Sequence, residues 1–372
     1  MRSLTRPVEN VSKSTFRNTP LREPLKAMKD SYNQGFHELA QRIPSLIKPV
    51  PESLFVTLTA DCNLRCKACN YGRDFMPQQQ LPWSVGERLI DDAKALGFRS
   101  IRLYGGEPLL HKDIEKYVRR IADHGMDQFI TTNGILVRKK IDGLVDAGLR
   151  KISFGYYGQG DVYDDYVQRK GAYRVMKEGI ESVRARHSAE NLRVRIDFLL
   201  IRHTATMETV NEMLRFAEEM EAEVFINLVH YSLPYFKVGK EADPYSFNDD
   251  DRGLLTDIAA RLIEARRTTP GLIANSERGL RSIPDWLIKK ENMRVPCTAY
   301  DLIWIGADGT VQLCYVCFKL GNLHDTPLSD LLMTPEHRKA AQDAFALKCP
   351  NCHCGYDSRI TQHRASAKYY AG

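Results

Sequence analysis

Three features of the chain predict an α/β protein: six successive β/α units forming a partly open barrel, then a small cysteine-rich C-terminal region. Short β-branched runs alternate with amphipathic helical patterns from residue 51 onward, the signature of βαβ units and a parallel sheet. The runs are separated by enough chain for one crossover helix each. Nine cysteines fall in two groups, 62/66/69 and 297/314/317/349/352/354, a clustering that suits metal or cluster ligation better than a disulfide framework.

The strands are expected at LFVTLTA, SIRLYG, QFITT, KISFGYY, VRIDFLLI and EVFINLV. After the first, Ser84 and Glu87 form a capping box for a helix over VGERLIDDAKALGF, with Val85, Leu89 and Leu96 on one face. Helices are also expected at IEKYVRRIADHG, KKIDGLVDAG, AYRVMKEGIESVRA and METVNEMLRFAEEM. Before the barrel, residues 23–46 read as an amphipathic helix with Leu25, Met28, Phe36, Leu39 and Ile43 inward, packed on the barrel or capping its floor. The acidic, turn-rich KEADPYSFNDDD and a helix around LLTDIAARLIEARR interrupt the rhythm. LIWIGADGTVQLC reads as a hairpin turning at Asp308-Gly309. The expected organisation is an N-terminal helical extension (1–50), the barrel (51–235), a helical linker (236–295), the cysteine-rich domain (296–358) and a tail (359–372).

A length of 372 residues with 43% hydrophobic and 27% charged residues supports a sizeable core. The net charge of +6 is scattered along the chain, so nucleic-acid binding is allowed but not indicated. No apolar run is long enough to span a membrane and the first residues lack a signal-peptide core; a cytoplasmic protein is expected.

Function in parallel β/α sheets collects at the C-terminal ends of strands, where ADCNLRCKACNYGRD places Cys62, Cys66 and Cys69 as C-x3-C-x2-C. A closed zinc site wants four ligands and this loop offers three. A redox pair of Cys66 and Cys69 would leave Cys62 without a purpose. The loop resembles the signature of the radical S-adenosylmethionine (SAM) superfamily, which follows the first strand of a partial (β/α)6 TIM barrel. The resemblance implies that the three thiolates hold a 4Fe-4S cluster whose fourth iron chelates SAM. It also implies reductive cleavage of SAM to a 5'-deoxyadenosyl radical, which abstracts a substrate hydrogen. Cys62, Cys66 and Cys69 are thus the expected catalytic ligands.

LYGGEP, with Gly105, Gly106, Glu107 and Pro108, matches the family's GGEP loop, whose glycines allow close approach to the SAM methionyl group and whose carbonyls and carboxylate receive its ammonium. Thr131, Thr132, Asn133 and Gly134 after the third strand, and Ser153 on the fourth, resemble positions that bond the ribose or methionine carboxylate. Their polar tips could also merely finish strands, the less favoured of the two readings. Arg202, at the end of the fifth strand, is a candidate partner for that carboxylate or a solvated strand end, and Asn227 and Leu228 are candidates to touch the adenine. Two positions depart from the family pattern. Ala68 stands where many relatives carry an aromatic residue, leaving Tyr71 as a substitute contact. SFGYYGQGD replaces an Asp-Gly pair, so Tyr156 and Tyr157 either shape a different pocket or pack in the core.

In the C-terminal region, Cys297, eleven residues, Gly309, four residues and Cys314 resemble the opening of the SPASM and Twitch extensions of radical SAM enzymes; CPNCHC adds Cys349, Cys352 and Cys354. The resemblance implies one auxiliary 4Fe-4S cluster on Cys297, Cys314, Cys349 and Cys352. Cys317 and Cys354 are then spare or substitute for a ligand; a zinc ribbon is the competing reading. A second redox centre suits a two-electron oxidation or an epimerisation of a small polar substrate such as a sugar, aminocyclitol or nucleoside. A dedicated leader-peptide domain would need about 80 to 90 residues, more than the N-terminal extension provides, so a peptide maturase is the second reading. A non-catalytic zinc or iron–sulfur protein is the third. Flavodoxin or ferredoxin is the electron donor implied by the resemblance.

Overall fold

The computed structural model describes residues 22–50, 52–232, 236, 244–315 and 317–372. Residues 1–21 of the expected N-terminal extension and 240–243 of the acidic stretch lie outside the described residues. After helix α1 (Arg22–Arg42) come β1 (Ser53–Thr59), α2 (Trp83–Leu96), β2 (Ser100–Gly105), α3 (Ile114–Asp123), β3 (Asp127–Thr132), α4 (Val137–Asp146) and β4 (Lys151–Tyr156). Two helices, α5 (Gly160–Val167) and α6 (Ala172–Arg186), precede β5 (Arg193–Leu200), and α7 (Met207–Glu219) leads to β6 (Glu223–Leu228). All six expected strands are present and pair in parallel, each with its sequence neighbour.

Strand alternation explains the layering. Leu54, Val56 and Leu58 of β1 are buried beneath the helices, whereas Ser53 and Phe55 face the interior cavity, because successive side chains point to opposite faces. The sheet is open, with β6 at one end. The rest of the chain forms α8 (Arg252–Thr268), α9 (Glu277–Arg281), α10 (Ile283–Lys289), β7 (Leu302–Ile305), β8 (Thr310–Gln312), β9 (Lys319–Asn322), α11 (Leu328–Leu331), α12 (Pro335–Phe345), α13 (Tyr356–Gln362) and α14 (Arg364–Tyr369). β7 runs parallel to β1, from Ser53↔Leu302 to Val56↔Ile305, so the cysteine-rich segment continues the same nine-stranded sheet. This covers the edge β1 would otherwise leave unpaired. The expected hairpin joins β7 to β8 across residues 306–309, with Gly309 at φ +79° and the Asp308 carboxylate accepting from Thr310 N–H.

Two local expectations change. The N-cap of α2 is Pro82, and no side chain caps it; Ser84 already lies inside the helix. Packing sets this start, because Leu81 is fully buried and the Trp83 ring meets Tyr117 edge-on at 5.1 Å. The buried face of α1 is also different: His37 and Ala40 are buried, while Met28, Leu39 and Ile43 are exposed. Leu25 has a side chain outside the described residues. Phe36 is half-buried beside Tyr300 and Phe345, His37 Nε2 bonds Tyr300 Oη at 2.7 Å, and Gln34 donates to the Thr361 carbonyl. α1 therefore packs against the C-terminal helices; a histidine that finds a buried hydroxyl displaces exposed methionine and leucine from the contact.

Candidate active site

Three loops at the C-terminal ends of β1, β2 and β3 interlock, the first two through their backbones and the third through a buried carboxylate. Gly106 N–H donates to the Thr59 carbonyl and Glu107 N–H to that of Asp61, both at 2.7 Å. A Cβ on Gly106 would stand 2.3 Å from the Asp61 carbonyl oxygen and 2.5 Å from that of Ala60; Gly105, at φ +144°, faces the Thr59 carbonyl as closely. Both glycines are thus required by the approach of the β2 loop to the chain entering Cys62. The Glu107 carboxylate is fully buried and accepts from Leu109 N–H (2.9 Å), Thr132 Oγ1 (2.8 Å) and Asn133 N–H (2.8 Å). It ties the second loop to the third. Loss of water pushes Glu107 up to about 7, with these three donors pulling the other way.

The cysteine loop is held on its far side by Arg65 N–H to the Val167 carbonyl and Lys67 N–H to that of Tyr166. The Arg73 guanidinium donates to the carbonyls of Cys66 and Cys69. Cys62 opens onto a cavity and Cys66 and Cys69 are half-buried. Loss of water and the nearby Glu107 carboxylate and Cys69 thiol push Cys62 up to about 11; Cys66 rises further through burial and its two thiol neighbours, and Cys69 rises through burial. Three soft donors within electrostatic range of one another in a water-poor loop would ionise together were a positive centre to join them, which fits the three-thiolate side of an iron–sulfur cluster, although among the described residues no side chains are already gathered into a metal-binding group.

The cavity has a volume of about 810 Å³ and runs from this loop into the barrel lumen. Of the expected residues, Cys62, Cys66, Cys69, Gly105, Gly106, Thr131, Thr132, Asn133, Asn227 and Leu228 line it. Asn133 Nδ2 also reaches Asn63 Oδ1 at 2.8 Å and lies 3.9 Å from the Cys62 sulfur. Ser153 is instead fully buried behind Thr131, its Oγ 2.8 Å from Thr131 Oγ1. Arg202 makes a two-pronged ion pair with Asp251 at 2.9 and 2.7 Å. Tyr71 lines the cavity and packs against Trp304 and Met76. The two tyrosines of SFGYYGQGD divide the roles expected of them: Tyr156 stacks on Phe216 in the core, and Tyr157 lines the cavity beside Tyr166.

The six C-terminal cysteines also converge. The Cys317 thiol is hydrogen-bonded to Cys314 and Cys349, that of Cys352 to Cys354, and Cys297 lies within electrostatic range of Cys352 and Cys314. Burial pushes Cys297 up to about 12, against the pull of Arg359. Cys317 and Cys354 are immediate neighbours of the expected auxiliary ligands, and Cys354 alone of the six lines the cavity. This dense thiol set, with a buried cation beside it, fits an anionic thiolate-ligated cluster.

Residues 56–217 match the radical SAM superfamily model, and residues 297–354 match the SPASM iron–sulfur cluster-binding domain. The chain is a radical SAM protein with a C-terminal SPASM domain. Its radical SAM domain implies a 4Fe-4S cluster and SAM, and its SPASM domain implies auxiliary iron–sulfur ligation. Among curated relatives, the probable GTP 3',8-cyclase of Thermococcus kodakarensis is 34% identical over 131 residues, covering 35% of this chain and 42% of that one. The GTP 3',8-cyclase of Chlorobaculum tepidum is 33% identical over 175 residues, covering 46% and 48%. The chain thus spans about half the length of the curated relatives it matches. The structure of anSMEcpe with bound AdoMet superimposes with a TM-score of 0.63 at 18% identity, over 86% of this chain and 92% of that one. Streptococcus suis SuiB bound to its precursor peptide SuiA gives 0.60 at 18%, over 90% and 74%. These two likenesses are of fold. Among the described residues, no helix is long and apolar enough to cross a membrane.

The sequence reading of this radical SAM protein missed Arg359, placed in the expected tail. Its side chain is 1% exposed, stacks over Trp286 at 4.7 Å and donates to the carbonyls of Cys352 and Val295 and to Asn351 Oδ1. No local pattern marks it. It also missed Arg102, Arg195 and Asp197, which line the cavity. Those carry a readable signal: charged residues at alternate positions of otherwise apolar parallel strands must face something other than the helices.

Proposed function

We propose that this radical SAM enzyme acts on a small polar substrate held in the barrel lumen, of sugar or nucleotide type, and completes an oxidation or epimerisation of it. The observation that carries the reading is the single cavity connecting the three-cysteine loop to the lumen and to Cys354 of the SPASM segment. Its volume of about 810 Å³ suits a ligand of that size, and the GTP 3',8-cyclase relatives support a nucleotide-like compound.

Cys62, Cys66 and Cys69 would hold the SAM-binding cluster, and Cys297, Cys314, Cys349 and Cys352 one auxiliary cluster. When bound, the first cluster and SAM supply a radical able to remove a hydrogen atom from substrate, and the second supplies an acceptor for one electron. The chain's own residues position and enclose. Asn133 and the Gly105-Gly106 backbone line the SAM end, Glu107 locks their loops, and Tyr157 and Tyr166 wall the cavity against water. The electron donor in this reading is a flavodoxin or ferredoxin.

Anaerobic incubation of the reduced, reconstituted protein with SAM and a metabolite extract, followed for 5'-deoxyadenosine and mass changes together, tests the reading. A substrate-dependent rise in 5'-deoxyadenosine paired with a changed small molecule is expected. Turnover with peptide extracts alone would replace it with peptide maturation. Unchanged SAM cleavage after converting Cys62, Cys66 and Cys69 to Ala would sink the radical assignment.

A further inference from the structure

Just past the end of β6, His230 lines the cavity with a half-buried imidazole. Its neighbours come from both cysteine groups. Phe236, paired through its backbone with Cys69, meets the ring edge-on at 6.4 Å, and His353, which follows Cys352 and precedes Cys354, lies 6.0 Å from it. Packing fixes this place: the Tyr231 ring meets His353 edge-on at 4.4 Å, and His353 Nε2 bonds the Trp286 carbonyl at 2.9 Å.

Nδ1 of His230 is shut off from water without a hydrogen-bond partner, and among the described residues no hydrogen bond reaches the ring. Leaving a buried polar atom unpaired is costly, and native proteins rarely keep one without a use. A buried N–H without an acceptor is rarer still than a lone pair without a donor, which assigns the ring proton to Nε2. With Nδ1 shut off, that N–H is the group left to meet a molecule in the cavity. Burial pushes the imidazole down to about 4, so it meets that molecule uncharged. An anion at this place would call for an imidazolium, which the same loss of water opposes; a neutral oxygen does not. The arginines of the wall are already engaged, Arg102 by Thr131 and Tyr315 and Arg195 by Asp197, with both guanidiniums over the Phe129 ring.

We propose that His230 is a substrate-binding residue that donates from Nε2 to a neutral oxygen, a hydroxyl or carbonyl of the sugar-like part of the substrate. The inference rests on the lumen being the substrate site, as proposed above. It narrows the compound to one that presents an uncharged acceptor to the end of β6. A ring kept only for packing would be better served by carbon at both nitrogen positions.

Turnover of the reduced, reconstituted full chain with SAM and serial dilutions of an aqueous metabolite extract, followed by the mass of the changed small molecule, tests it. His230→Leu, apolar and of similar volume, raises the half-saturating amount of extract about 10-fold, the effect of leaving one buried oxygen without its donor. His230→Gln, whose amide nitrogen falls where Nε2 stands, stays within about 3-fold of the wild type, and His230→Asn, whose amide nitrogen falls where Nδ1 stands, behaves as the Leu variant. Without extract, His230→Leu raises the thermal unfolding midpoint of the same protein, because an unpaired nitrogen is gone. A lowered midpoint would reveal a partner inside the protein and overturn the inference. Equal half-saturation in the wild type and the folded Leu variant overturns it too. Where the Leu variant does not fold, the Gln and Asn variants decide, and equal values for those two reject the donor. A rise in the half-saturating SAM concentration in place of that of extract assigns the ring to SAM and rejects the substrate contact. A wild type that cleaves SAM yet changes no molecule of the extract rejects the lumen reading itself, whatever the variants do.

Discussion

Glu107 shows how one residue of a recognisable motif takes a role the motif does not announce. From its family resemblance the GGEP loop is expected to offer its carboxylate to SAM, yet the carboxylate turns inward to three donors and is fully buried. Its value of about 7 lies above the ordinary carboxylate range because burial outweighs those hydrogen bonds. An acid raised on folding adds stability that is complete below its unfolded value, about 4.5, and is lost as pH rises through about 7. The amount is on the order of 3 kcal/mol. Urea unfolding of the wild type between pH 5 and 8 should therefore show stability falling with pH. Glu107→Gln should flatten that dependence and lower the plateau, since its amide nitrogen faces a backbone donor; an equal slope in both proteins would refute the assignment. The thiols illustrate the complementary limit of sequence: spacing identifies Cys62, Cys66 and Cys69, but their shared loss of water appears only once Cys66 is seen beside Tyr157 and Tyr166.

At the scale of elements, the six strands were legible because each β-branched run is bounded by turns and separated by a helix-length segment. Helix faces and caps were less so. The S-x-x-E pattern before VGERL is a real sequence signal, but Leu81 and Trp83 set the start of α2 by packing, and α1 buries the face that reaches Tyr300 and Phe345. The interlock between the β1 and β2 loops is likewise a backbone matter. Gly106→Ala places a methyl group against two carbonyls of the chain leading to Cys62, and the loops must separate to admit it. A loss of about 2 kcal/mol in stability, and of roughly half the iron if each domain holds one four-iron cluster, is expected by denaturation and iron analysis. Full iron retention would show that the loops yield without disturbing the cysteines.

The whole molecule is organised by a sheet that continues past the barrel. β7 pairs with β1, so the hairpin carrying Cys314 is joined by backbone hydrogen bonds to the strand that delivers Cys62. The last helices close the other side: Arg359 of α13 bonds the segments flanking Cys297 and Cys352, and Tyr356 reaches the Ile226 carbonyl of β6 at 3.0 Å. Arg359→Gln removes a buried cation from the cysteine cluster and leaves carbonyls of Val295 and Cys352 unpaired. The cost is roughly 3 kcal/mol. It should lower auxiliary iron selectively, with the 5'-deoxyadenosine-forming cluster still visible by electron paramagnetic resonance. Undiminished iron at both centres would reduce Arg359 to packing.

By itself the sequence determined the β/α order, the three-cysteine loop, the GGEP and TTNG loops and the SPASM cysteines, because each is written in a short span whose spacing survives without tertiary context. Tertiary structure alone decided which side chains share the lumen. Arg102, Phe129 and Arg195 are far apart in the chain and meet only because strand register turns alternate positions of β2, β3 and β5 toward the same cavity. It also decided that Ser153 supports Thr131 instead of facing the cavity, that Arg202 is engaged by Asp251, and that Arg359 stands among the cysteines. Long-range packing chose between partners that local sequence leaves equally open.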